Sequence, residues 1–252
     1  MSRETWSFGL FSWFGYRRPF EAKLDLIKAA GFDAICSWWG DSFMDLDGPK
    51  VAHARLARQR GLILENAHLP YEDSDDLWQD SPAGKSLVDT IAESMAEAAR
   101  SGIPTLVIHP YRTKEVLWQG DRSLFFQRAQ RLGEEAHRLG IRLAWENLYE
   151  SRLIGEMMAA LAHDPATGFC LDTGHANISR DGALSLLSDF PDKLFALHLH
   201  DNDGISDQHL LPGQGTFAWP LFMDLLSKTG YQGALMLESA YPYDPARAAA
   251  LG

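Results

Sequence analysis

From residue 68 onward, six apolar runs in succession each end in a histidine or an acid. They are His68 in AHLPY, His109 in IHPY, Glu146 in AWENLYE, Asp172 in CLDTGH, His198 in LHLHD and Glu238 in MLES. One such residue at the end of an apolar run is ordinarily a cap or a satisfied polar group. Six in a row, all of types that ligate metals, point to one shared site. Clustered carboxylates repel one another and shift their proton affinities unless a cation lies between them. Mixed carboxylate and imidazole donors suit Mn²⁺, Zn²⁺, Co²⁺ or Mg²⁺, so a bound divalent metal ion is the expected cofactor.

These residues need elements that deliver them to one place. Strand-like runs occupy 6–11, 33–38, 62–68, 105–109, 142–146, 168–172, 194–200 and 233–238. Helical periodicity occupies 20–31, 51–61, 86–102 (capped by Ser86), 122–140, 182–190 and 219–230. Eight strands alternating with helices over a chain of about 250 residues is the pattern of an α/β (β/α)₈ TIM barrel. The competing doubly wound sheet normally carries a Gly-rich phosphate turn after its first strand, and neither GxGxxG nor GxxxxGK[ST] occurs. In a barrel the C-terminal strand ends face the active site, which is where the six polar residues fall. Strand alternation groups Cys170 with Asp172, Ala144 with Glu146, and Ala196 with His198 and His200. The bulkier Leu143, Trp145, Phe169, Leu171, Phe195, Leu197 and Leu199 then face the helices.

The 252 residues are 46% hydrophobic, enough for one large core, and no linker divides them, so a single domain over 1–252 is expected. Two cysteines cannot build a disulfide framework and fit a reducing, cytoplasmic setting. The N-terminus lacks a basic segment leading into an apolar run, and no stretch is apolar for long enough to span a bilayer. A net charge of −11 argues against a broad nucleic-acid surface, which needs Lys and Arg to neutralise phosphates. Only 14 residues follow Glu238, short for a closing helix, which hints that a second copy covers that end in a homo-oligomer.

ENL, LDTGH, HLHD and PGQG followed by LES, in this order and spacing, resemble the xylose isomerase-like TIM-barrel superfamily. That superfamily includes ketose 3-epimerases, hydroxypyruvate isomerase, inosose-metabolising enzymes and the endonuclease IV DNA-repair enzymes. The resemblance spans nearly the whole chain and is clearest from the third strand to the eighth. It implies a metal held by Glu146, Asp172, His198 and Glu238, with Glu146 and Glu238 also the acid/base pair of a sugar (or sugar-acid or inosose) isomerase or epimerase. The implied reaction is proton transfer through a metal-stabilised enediolate. The endonuclease IV branch holds three zinc ions, and its further ligands match His68, His109, His175, Asp207 and His209. One ion per chain is therefore expected and up to three are allowed. A multi-zinc phosphodiesterase, and a sugar dehydratase or non-catalytic sugar-binding relative, stand as alternatives to the isomerase reading. Acidic charge and aromatic rather than basic first loops favour the sugar branch.

Lesser candidates surround this set. Trp13, Phe14, Tyr16, Trp38, Trp39 and Phe43 cluster in the first two βα loops, where aromatic faces suit a sugar's C–H surface. Arg17, Arg18, Arg112 and Lys114 are candidates for a substrate phosphate. His200 is expected to touch substrate or a neighbouring loop, and Asp201 to orient a metal ligand. Asp203 belongs to the loop leading to Asp207 and His209. His53, His137 and His163 read as surface residues, and Cys36 and Cys170 as small buried groups.

Overall fold

A computed structural model of the chain describes residues 6–179 and 182–240. Its strands are β1 (Phe8–Phe11), β2 (Ala34–Trp38), β3 (Ile63–His68), β4 (Thr105–Ile108), β5 (Arg142–Glu146), β6 (Thr167–Asp172), β7 (Leu194–His198) and β8 (Leu235–Leu237). The α-helices are α1 (Phe20–Ala29), α2 (Met44–Asp47), α3 (His53–Gln59), α4 (Pro82–Ser101), α5 (Val116–Gln119) and α6 (Arg122–Leu139). They continue with α7 (Ser151–Ala160), α8 (Thr173–Ile178), α9 (Ser185–Asp189) and α10 (Trp219–Leu226). All strand pairs are parallel, in the order β7-β6-β5-β4-β3-β2-β1-β8. The ring closes through the backbone just beyond β7. Leu199 N–H donates to Met236 O at 2.8 Å, and Glu238 N–H donates to Leu199 O at 3.0 Å. The chain is thus a (β/α)₈ barrel, as its alternating pattern predicts.

The expected division of faces holds along most strands. Ala34, Cys36, Ala234 and Met236 form one small cluster inside the barrel, and Val107, Ala144, Cys170 and Ala196 another. Leu143, Trp145, Phe169, Leu171 and Leu197 join the large core beneath the helices. Phe195 is the exception and corrects the alternation. The register between β6 and β7 slips beside it, from Phe169↔Leu194 to Cys170↔Ala196, so Phe195 joins the inner cluster. A bulge inserts one residue and re-aims the side chain there. Glu65 sits at a second slip, between β2 and β3.

Two helix assignments change. The cap of α4 is Ser81, whose hydroxyl accepts from Gly84 N–H at 3.0 Å, so Ser86 lies inside the helix. Pro82 at the first helical position explains the earlier start, because its missing N–H is not needed there. α7 fills a stretch whose periodicity the sequence pattern passed over. It buries Leu153, Ile154, Met157 and Met158 along one side. The closing segment expected after Glu238 lies outside the described residues from 241 on. No helix among the described residues is long and apolar enough to cross a membrane.

His53 is not a surface residue. It is buried at the start of α3, stacks on Phe20 with ring centroids 3.8 Å apart, and bonds Asp47 O at 3.2 Å. Lys23 and Asp47 pair beside it at 2.6 Å, both buried. Burial holds the imidazole down to about 4, from an ordinary 6.5. An unfolded chain therefore takes up a proton at position 53 that the folded chain refuses. Stability from this residue is complete above about pH 6.5, falls as the pH drops, and is lost below about 4. The swing is about 3 kcal/mol. His53→Phe keeps a ring on Phe20 and removes the titration. Its urea midpoint is expected to change less between pH 7 and pH 4 than that of the parent protein. Parallel losses in both proteins would contradict the assignment.

Candidate active site

Glu146, the last residue of β5, is the centre of the site. Its Oε2 lies 3.1 Å from His68 Nε2 and 3.3 Å from His198 Nδ1. Its Oε1 lies 3.1 Å from His175 Nδ1 and 3.6 Å from His109 Nε2. His198 Nδ1 also meets Glu238 Oε2 at 2.8 Å. Residues at or just past four other strand ends therefore converge on one buried carboxylate, and Glu238 joins through His198. A second group surrounds Asp207, in the loop after β7. Its Oδ2 is 3.4 Å from His175 Nε2 and 3.3 Å from His209 Nε2, and its Oδ1 is 3.8 Å from His200 Nε2. Asp172 joins the groups, with Oδ1 3.4 Å from His175 Nδ1 and Oδ2 3.0 Å from His200 Nε2.

Side-chain clamps hold these ends where the strand ladders stop. The amide of Asn147 accepts from Asp172 N–H at 2.7 Å and donates to Asp172 O at 3.0 Å, tying β5 to β6. The hydroxyl of Thr173 accepts from His200 N–H at 2.9 Å and donates to His200 O at 2.7 Å, tying β6 to β7. Asp172 also caps α8, accepting from His175 N–H at 2.6 Å, which turns the His175 ring back toward Glu146. Gly174 is required between them, since a Cβ there would collide with the His200 ring. Asp201 serves the loop rather than a metal ligand, which corrects its expected role. Its carboxylate accepts from Trp219 Nε1 at 2.8 Å, Gly213 N–H at 2.9 Å and Phe217 N–H at 3.1 Å. It thus ties down the segment that follows Asp207 and His209. His209 itself has φ 50°, a conformation that non-glycine residues rarely adopt and that persists only where the surroundings enforce it. Here Nδ1 of His209 bonds Glu238 O at 2.7 Å and its carbonyl accepts from Ala240 N–H at 3.1 Å.

The electrostatics match the geometry. Burial alone would raise the Glu146 carboxyl, but the His109 and His198 imidazoles outweigh it and hold it well below the usual range. Glu238 is likewise opposed by burial yet held at about 2, chiefly by His198. Burial disfavours charge on His175, but Asp172, Asp207 and Glu146 keep it protonated well above the ordinary histidine range. His209 is raised to about 10 in the same way, against its burial, by Asp207 and Glu238. Burial lowers His109. Beneath the site, burial pushes the Cys36 and Cys170 thiols up to about 11 and about 12, so both are neutral and small, as expected.

A metal ion fits this donor set. His198 Nδ1 and Glu238 Oε2 are buried, face each other at 2.8 Å, and have no hydrogen-bond partner. Such a pair needs a cation or a proton between its atoms. Bonds of about 2.0–2.2 Å to a tetrahedral ion place ligand atoms about 3.3 Å apart, which is the spacing found around Glu146. Four overlapping triads have ligand atoms within 4.8 Å of one another: His68–Glu146–His198, Glu146–Asp172–His175, Asp172–His198–Glu238 and His200–Asp207–His209.

Above these residues opens a cavity of about 240 Å³. His68, His109, Glu146, His175, Asp207, His209 and Glu238 line one end of it, and Phe11, Trp13, Trp38, Ser42, Phe43, Tyr71 and Glu72 line the other. Trp13 and Trp38 thus line the cavity. Trp39 does not; it is wholly buried in the outer core, because it follows Trp38 on a strand end and points the opposite way. His200 is wholly buried and bonds Asp172 instead of facing the cavity. Arg112 also stays off the lining, with its guanidinium 5.2 Å from the centroid of Tyr71. Asn147 and Tyr71 fall within the motifs ENL and AHLPY, which give them no role of their own. Each sits one to three residues from a candidate ligand, and only the fold reveals what it clamps or covers.

A family model described as a xylose isomerase-like TIM barrel matches residues 24–251. Protein y4fM of Sinorhizobium fredii (strain NBRC 101917 / NGR234) is 27% identical, with 89% of this chain and 82% of its own length aligned. Fructoselysine 3-epimerase of Escherichia coli O157:H7 is 29% identical over 93% of this chain and 90% of its own. A solved structure described as a D-tagatose 3-epimerase-like protein superposes with a TM-score of 0.76 at 21% identity, covering 97% of this chain and 95% of that one. At that identity the structural likeness concerns the fold.

Imidazoles held protonated must lose a proton before they donate a lone pair to a metal. With His175 and His209 raised, Mn²⁺ or Zn²⁺ added to metal-free protein near pH 7 is expected to release protons, and affinity to rise with pH. Titration calorimetry in buffers of different ionisation enthalpy measures this. A binding heat independent of buffer would contradict it.

Proposed function

This chain belongs to the xylose isomerase-like TIM-barrel family, and from that premise we propose that it is a divalent-metal-dependent sugar isomerase or epimerase. The proposed reaction is proton transfer next to a carbonyl, through an enediolate. One observation carries the reading. Two carboxylates, the buried Glu146 and the half-buried Glu238, converge on the same imidazole nitrogen of His198, at 3.3 and 2.8 Å, on the floor of an aromatic-walled cavity. The epimerase names of the relatives support it.

In this reading Glu146, Asp172, His198 and Glu238 hold the ion. Once bound, a divalent ion supplies Lewis acidity toward the carbonyl and neighbouring hydroxyl oxygens of the substrate. Glu146 and Glu238 move the proton. One carboxylate takes it from the carbon beside the carbonyl and the other returns one. Return to the opposite face of the same carbon is epimerisation; return to the neighbouring carbon is isomerisation. His68 and His109 fix the Glu146 carboxylate by contacts to its two oxygens. Trp13 and Trp38 pack on the C–H face of the sugar and keep water from the reacting carbon.

A second reading has its own observation. Of the nine residues that match the endonuclease IV ligands, His68, His109, Glu146, His175, Asp207, His209 and Glu238 line one cavity, and Asp172 and His198 are buried in contact with them. Three ions there would suit phosphodiester cleavage.

Glu146→Gln and Glu238→Gln are each expected to cut solvent-deuterium exchange into a ketose, inosose or hydroxy-keto acid by at least about 10³-fold. Normal exchange in either variant would remove that residue from the acid/base pair. Metal analysis of the purified protein, alongside nicking of abasic DNA, separates the two readings. About three ions per chain with nicking and no exchange would install the phosphodiesterase.

A further inference from the structure

Resting on the sugar reading of this site, we infer that the substrate carries no phosphate or carboxylate group. The chain takes a neutral polyhydroxy carbonyl compound and rejects the corresponding phosphate ester. The wall opposite the ligand cluster decides this. It consists of Phe11, Trp13, Trp38, Phe43 and Tyr71, with Ser42 and Glu72 beside them, and its polar groups besides these two are the Tyr71 hydroxyl and the indole N–H groups. No lysine or arginine occurs among the described residues that line the cavity.

The wall is continuous with the cluster. Trp38 stacks on His68, with centroids 5.7 Å apart and planes at 15°, and stands edge-on to Phe43 at 6.2 Å and to Tyr71 at 5.7 Å. Trp13 lies 6.5 Å from Phe43. A molecule whose carbonyl end reaches the carboxylates therefore lays its remaining carbons on indole and phenyl faces. Such faces suit C–H groups and offer an anion no solvation. Glu72, which accepts from Tyr71 N–H at 3.1 Å, places a carboxylate on the same wall. It can accept from sugar hydroxyls and repels a phosphate. The cavity, at about 240 Å³, is below the range of about 300–1,000 Å³ typical of sites for drug-sized ligands, so the far end of the substrate cannot avoid this wall.

The protonated groups of the lining, His175 and His209, belong to the ligand cluster, and the basic residues that the sequence offered for a phosphate, Arg17, Arg18, Arg112 and Lys114, lie outside the lining. Arg18 lines a separate recess with Leu10, Phe14 and Leu26. Arg112 lies over Tyr71 while Asp75 accepts its backbone N–H at 2.7 Å. Lys114 Nζ sits 4.0 Å from the centroid of Tyr149. The structure thus removes Arg18 and Arg112 from the cavity lining, where the sequence made them phosphate candidates.

The test is a titration of intrinsic tryptophan fluorescence in the Mn²⁺-loaded protein. The probes are matched pairs: D-fructose against D-fructose 6-phosphate, and D-tagatose against D-tagatose 6-phosphate. Each free sugar is expected to bind more than about tenfold more tightly than its ester, because like charge and an unpaired anion both oppose the ester. Ser42→Lys is expected to raise ester affinity at least about tenfold by giving the phosphate a partner. Equal or tighter ester binding to the parent protein overturns the inference. So does a folded Ser42→Lys protein with unchanged ester affinity, or no binding by any of the four sugars. Preferential binding of free sugar without deuterium exchange would leave the inference standing and sink the enolisation reading instead.

Discussion

A carboxylate buried as deeply as Glu146 stays ionised only where positive or hydrogen-bonding groups offset the water it has lost. That requirement organises the barrel. Four imidazoles, from β3, β7, α8 and the turn after β4, approach its two oxygens to within 3.6 Å. None of them can do so alone, since each lies on a different element. The fold must close into a ring before the charge at its centre is tolerable, and the ring must be narrow enough for opposite strand ends to meet.

The strand number and stagger set that width, and the side chains inside must fit it. Ala34, Cys36, Ala144, Cys170, Ala196 and Ala234 share the inside below the ligands with Val107, Phe195 and Met236, and Leu143, Trp145, Phe169, Leu171 and Leu197 pack outward. Register then sets which ligands are neighbours. Asp172 pairs with His198 across β6 and β7, and their side chains lie on the same inner face. Past the strand ends no ladder remains, and Asn147 and Thr173 replace it with paired hydrogen bonds to backbone. Asp201 does the same for the loop after β7. His209, the one non-glycine residue in the left-handed region among the described residues, is held by bonds to Glu238 and Ala240. That conformation costs on the order of 1–3 kcal/mol, so it survives because several contacts enforce it together.

Much of this was legible beforehand, and the misses share a cause. Period-two alternation correctly sorted Ala144 from Trp145 and Cys170 from Leu171, because those strands run without interruption. It failed at Phe195, where a one-residue bulge reverses the face and leaves no mark in the sequence. His53 looked like a surface residue because it falls in a helix, yet the Phe20 ring of α1 and the Asp47 carbonyl just before α3 enclose it. Asp201 lies three residues past a ligand, and proximity in sequence suggested a role in orienting it; His200 meets the loop after β7, one of its two expected contacts, with its ring centroid 4.1 Å from that of His209. Past Leu199, which closes the barrel, His200 bonds Asp172 and Asp201 bonds the loop that follows. Trp39 was grouped with Trp38 by proximity in sequence, but consecutive residues of a strand face opposite ways.

The amino-acid sequence determined the barrel and the identity of the ligand-type residues at its rim. Strand and helix periods, and the placement of His, Asp and Glu at strand ends, are local properties that short windows express. Tertiary structure alone decided which of those residues share a centre, which aromatic rings face it, and which cations do not. Those outcomes depend on distances between segments tens to hundreds of residues apart. Such distances are set by ring closure, bulges and side-chain clamps, each of which is a property of the folded whole.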